Sequence, residues 1–81
     1  MYLTDTKRAI LRALRHGALD QFQIAADITE APFLVNAELQ GLKREQLVKF
    51  EYTRSGREWN LTDRGARIAW SNEQLELGGN R

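Results

Sequence analysis

The sequence predicts a small α+β domain of three helices, a two-stranded hairpin and a closing helix. Two breaks and one change of period predict it. Up to Glu45 the apolar residues recur at helical spacing, interrupted at Gly17 and at Thr29–Pro32. From Leu47 the pattern changes to alternation, as a half-buried strand requires. At 81 residues the chain has room for one domain.

Each element has a local cause. Residues 4–15 read as the first helix, with Thr4 or Asp5 as cap and Ile10, Leu11 and Leu14 as its buried stripe. Gly17 ends it, because glycine tolerates the left-handed terminal conformation. Asp20 caps a short second helix over 21–28, with Ile24, Ala25 and Ile28 facing inward. A third helix runs from Pro32, which suits a first turn, to Glu45, with Val35, Leu39 and Leu42 on one stripe. Leu47 to Arg54 is the first strand, and Val48, Phe50 and Tyr52 should share its inward face. Ser55-Gly56-Arg57 is the turn, and Glu58 to Leu61 returns with Trp59 and Leu61 on that same side. Thr62 caps a last helix over 63–76, with Ala66, Ala69 and Trp70 near one face. The domain is expected to span 1–77, with 78–81 as a flexible tail.

Composition excludes several classes. There is no cysteine, which removes disulfides and thiolate zinc sites. No apolar run approaches the roughly 20 residues that cross a bilayer, and the first ten residues lack a signal-peptide stretch. A cytoplasmic protein with no membrane partner is expected. The single histidine, His16, adjoins a helix end and reads as a capping or surface residue. With no histidine pair, phosphate loop or nucleophile–base pair, the chain reads as a non-enzyme without metal or cofactor.

The net charge of +1 is uninformative, but its distribution is not. Lys7, Arg8, Arg12 and Arg15 crowd the first helix, and Lys43, Arg44, Lys49, Arg54 and Arg57 form a second group. Between His16 and Leu42 there are only Asp20, Asp27, Glu30 and Glu38. The Arg8, Arg12, Arg15 stripe reads as a solvated face.

Three stretches resemble the winged helix-turn-helix domain of MarR- and PadR-type bacterial transcription regulators. They are Ile24-Ala25 with Ile28 and Val35, then Leu39-x-x-Leu42 with Leu47-Val48, then Trp59-x-Leu61-Thr62-x-x-Gly65. Glu30 stands where the family carries an apolar residue, and Phe33 and Leu34 stand where it carries Ser or Thr. The resemblance implies that the third helix lies in the major groove of double-stranded DNA. Asn36, Gln40, Lys43 and Arg44 would then face base edges, since Asn and Gln pair with adenine and Arg with guanine. Arg54 and Arg57 in the wing, and Gln21 and Gln23 at the start of helix two, would touch the backbone.

Such a chain would regulate transcription by occupying its site, singly or as a homodimer; its size suits a phage or prophage regulator. A second reading stays open, in which the acidic, aromatic helix-turn-helix face binds a protein partner through Phe22 and Phe33. Phe33 is either core or exposed, Trp59 reads as core, and Trp70 is either core or a dimer contact.

Overall fold

The computed structural model describes residues 3–54 and 56–71. Helix α1 runs Asp5–Ala13 and tightens into a 3-10 turn at Leu14–His16. Helices α2 (Gln21–Ile28) and α3 (Pro32–Arg44) follow, then strands β1 (Val48–Thr53) and β2 (Gly56–Leu61), then helix α4 (Asp63–Ala69). The expected order of elements is therefore the observed one.

The helix starts are set by caps. Thr4 Oγ1 accepts from the Lys7 N–H at 3.1 Å. Asp20 and Gln23 form a reciprocal capping box: Asp20 Oδ1 accepts from the Gln23 N–H at 2.8 Å, and Gln23 Oε1 accepts from the Asp20 N–H at 2.9 Å. Thr62 Oγ1 accepts from the Gly65 N–H at 3.0 Å. Helix α2 stops at Thr29, whose φ of 59° is left-handed and costly for a β-branched residue. There the Glu30 N–H turns back to the Ala25 carbonyl at 3.0 Å.

Helices α1, α2 and α3 pack on one another around a single core. Val35, Leu39 and Leu42 meet Ile10, Leu14 and Ile24 in it, and all six are at most 1% exposed. Leu47 and Leu3 also belong to it, the latter from ahead of the first helix. No polar or charged residue among those described is buried, so no ionised group strains the interior.

The hairpin pairs Val48 with Leu61, Phe50 with Trp59 and Tyr52 with Arg57, antiparallel. Opposed residues share a face, so the expected inward set does lie on one side. Its burial falls along the arm, however. Val48 and Trp59 are buried, Phe50 is half-buried and Tyr52 is 80% exposed, because the arm outruns the core. At its root, Leu19 and Trp59 exchange two backbone hydrogen bonds, at 3.1 and 2.8 Å. The segment before α2 thereby adds a short third rung to the sheet.

Two further expectations need correction. The closing helix ends at Ala69, with Trp70 as its C-cap, instead of continuing to 76. Trp70 is 57% exposed and not core; the Arg15 guanidinium lies 4.9 Å above its ring and His16 meets it edge-on. Phe33 is 73% exposed, so the register that would bury it is not adopted. Residues 72–77 and the 78–81 tail lie outside the described residues.

Candidate nucleic-acid interface

The core fixes the rotation of α3. With about 100° per residue, the buried stripe Val35, Leu39, Leu42 places Phe33, Ala37, Gln40 and Arg44 directly opposite. All four are exposed. Asn36 and Lys43 flank this stripe on the side toward the wing. The expected readers Asn36, Gln40, Lys43 and Arg44 thus share one outward surface. Gln40 Nε2 reaches Asn36 Oδ1 at 3.4 Å, which aligns the two amides along the helix.

The hairpin supplies the other wall. A groove of about 490 Å³ opens between α2, α3 and the arm, and Asn36, Gln40, Lys43 and Arg57 all line it. Its floor is aromatic: Phe50 and Trp59 have ring centroids 4.6 Å apart. The Arg57 guanidinium sits 5.8 Å over the Phe50 ring, which draws that cation over the groove side of the arm. Arg54 is exposed at the turn.

The structure gives Gln21 and Gln23 bonds within the fold. Gln21 Nε2 donates to the Pro32 carbonyl at 3.0 Å, tying the start of α2 to the start of α3. Gln23 completes the capping box. Phe22, 67% exposed, borders both the groove and the turn between α2 and α3.

The acidic gap in the sequence has a structural resolution. Asp20 caps α2 and also borders the groove. Glu38 faces α1, where Lys7 Nζ stands 3.9 Å away. Asp27 lines a depression between α1 and α2 beside Arg12. Asp27 and Glu30 stay exposed, the latter at the turn leading into α3. The Arg8, Arg12, Arg15 stripe is less solvated than expected. Arg8 donates to the Leu3 carbonyl and pairs with Asp5, and Arg15 Nε donates to the Ala69 carbonyl at 2.6 Å.

Sequence reading missed two contributors. Ala37 belongs to the outermost stripe of α3, and Tyr52 stands opposite Arg57 at the far end of the arm. The signals existed: Ala37 lies four residues from Phe33, and Tyr52 continues the alternation of Val48 and Phe50. No group of three or more His, Cys, Asp or Glu among the described residues could hold a metal ion. No described helix is long and apolar enough to cross a membrane.

No protein-family model matches the sequence, and no curated protein matches it. Solved structures do match. A variant of ZitR from Lactococcus lactis aligns with 94% of this chain at TM-score 0.84 and 24% identity. Wild-type ZitR in complex with DNA aligns at TM-score 0.81 and 23% identity. A further ZitR structure, described as a zinc-responsive MarR family member, also gives TM-score 0.81 and 23% identity. The chain spans 54% of the length of the first two and 55% of the third. The described residues therefore share the winged helix-turn-helix fold of this MarR family member, with α2 and α3 as the helix-turn-helix and β1–β2 as the wing.

Proposed function

We propose that this chain is a DNA-binding winged-helix protein that regulates transcription. One observation carries the reading: the α3 amides Asn36 and Gln40, the α3 cation Lys43 and the wing cation Arg57 line a single groove. The fold it shares with ZitR, which has been solved on DNA, supports the same reading.

The division of labour follows from residue chemistry. Helix α3 enters the major groove, where Asn36 and Gln40 offer the donor–acceptor pair that matches adenine. Lys43 and Arg44 bring charge at the end of the helix, to phosphate or to guanine. Arg57, together with Arg54 at the turn, meets the phosphate backbone from the wing. Capping by Asp20 and the Gln21–Pro32 bond hold α2 and α3 at a fixed angle, so α3 is presented preorganised. Regulation is by occupancy of the site in the cytoplasm. Two copies bound together would read half-sites about 34–36 Å apart.

The test is an electrophoretic shift of random-sequence duplex. Binding is expected at about 50 mM salt and should weaken steeply by about 200 mM, since each neutralised phosphate releases counterions. Absence of any shift at the lower salt overturns the proposal.

A further inference from the structure

We infer that Phe33 recognises the 5-methyl group of thymine, making an A·T pair at the start of α3 part of the preferred site. The inference rests on the DNA-binding reading above and adds the base that this residue selects.

Phe33 is held outside. Pro32 occupies the first turn of α3, and Val35, Leu39 and Leu42, all 0% exposed, fix the helix rotation. Phe33 cannot turn inward without lifting that stripe from the core. Its ring is 73% exposed in the free protein, and an exposed aromatic gains by being covered.

Its surroundings restrict what can cover it. The same stripe continues with Ala37, then Gln40, so the first two turns of α3 present apolar and amide surface. No lysine or arginine lies between His16 and Leu42. The first two turns of α3 themselves therefore carry no cation with which to hold a phosphate. Phe33 has no hydrogen-bonding group, so neither a phosphate oxygen nor a base-edge donor or acceptor satisfies it. In the major groove one base feature is apolar, the C5-methyl of thymine. The N-terminal residues of a recognition helix are those that reach base edges, and Phe33 is the second residue of α3. Gln40 stands on the same stripe, two turns further on, with the chemistry for adenine. From Phe33 to Gln40 the outward stripe of α3 favours A·T pairs.

The test separates this inference from the reading beneath it. The preferred duplex is enriched from a random pool, and each thymine is replaced in turn by deoxyuridine, which removes only the methyl. One replacement should weaken wild-type binding about fourfold, the value of one buried methyl. Phe33→Ala should bind the thymine and uracil duplexes equally, and its thermal melt should match wild type because the ring is exposed. Leu34→Ala, which lies off the stripe, should keep the discrimination. If Phe33→Ala still prefers thymine as strongly as wild type, or if no uracil replacement matters, the inference is overturned and DNA binding stands. If wild type shifts no duplex, both fall, and the exposed Phe22 and Phe33 become the surface to test against protein partners.

Discussion

Gly65→Ala pits a local preference against a tertiary contact. Gly65 is inside α4, where alanine is favoured over glycine by about 1 kcal/mol. Local propensity therefore predicts a more stable protein. The packing predicts the opposite. A Cβ on Gly65 would lie 1.8 Å from the Leu47 carbonyl oxygen and 2.8 Å from its carbon. Both are backbone atoms, so no rotamer change relieves the clash. Helix α4 must retreat by more than an ångström.

That retreat pulls on the junction it is seated in. The Thr62 N–H donates to the Leu47 carbonyl at 3.1 Å, and the Thr62 hydroxyl donates to the Gln46 carbonyl at 2.7 Å. Losing both removes about 1 kcal/mol each. Forcing a methyl into a packed site adds about 1–3 kcal/mol. Set against the helix-propensity gain of about 1 kcal/mol, the net loss is about 2–4 kcal/mol. An 81-residue domain has about 4–12 kcal/mol in total. Urea unfolding followed by circular dichroism should show a much lower midpoint with an unchanged slope. Melting should fall by about 10–25 °C. Ala66→Gly provides the control and should cost only the propensity difference of about 1 kcal/mol. A Gly65→Ala protein melting at or above wild type would show that α4 is not seated on Leu47.

Three other outcomes are expected. Leu39→Ala should cost about 2–5 kcal/mol through lost transfer energy and a cavity, because Leu39 is fully buried; an unchanged melt would refute the α3 stripe. Thr29→Gly should stabilise by about 0.5–1 kcal/mol, the left-handed strain less the entropy cost of glycine, and a lower melting temperature would contradict that balance. Arg57→Ala should weaken binding to all duplexes and reduce the salt slope by about one, whereas Asn36→Ala should lose about 1–3 kcal/mol at the preferred site alone. Identical effects of the two variants across sequences would remove the assignment of backbone and base roles.

Most of the fold was legible because its signals are local. Asp20 and Thr62 act within one turn of themselves, so the starts of α2 and α4 could be read directly. The stripe of Val35, Leu39 and Leu42 repeats often enough to define a face. What escaped were properties set by distant chain. Tyr52 alternates correctly but stands where no helix reaches it, so pattern gave its side and not its burial. Arg15 looked like part of a charged stripe, yet its partner is the Ala69 carbonyl, 54 positions along. The Leu19–Trp59 rung is a single pair and leaves no period to detect. For the site, the family resemblance pointed to Asn36, Gln40 and Arg57, but the disposal of Glu38 against Lys7 could be seen only in three dimensions.

The rung between Leu19 and Trp59 divides the wing into a stem and a finger. A two-stranded hairpin by itself is marginal in water. Here the stem is clamped on a third backbone, while the finger beyond Phe50 and Trp59 carries Tyr52, Arg54 and Arg57 with little beneath it. Residues inserted beyond the Thr53–Gly56 pair would lengthen the finger and leave the stem and α3 where they are. On DNA, span along the backbone and choice of base would then be independent variables, one set by hairpin length and the other by the face of α3. Under the proposed DNA-binding role, descendants of this domain would change how far they grip without changing what they read.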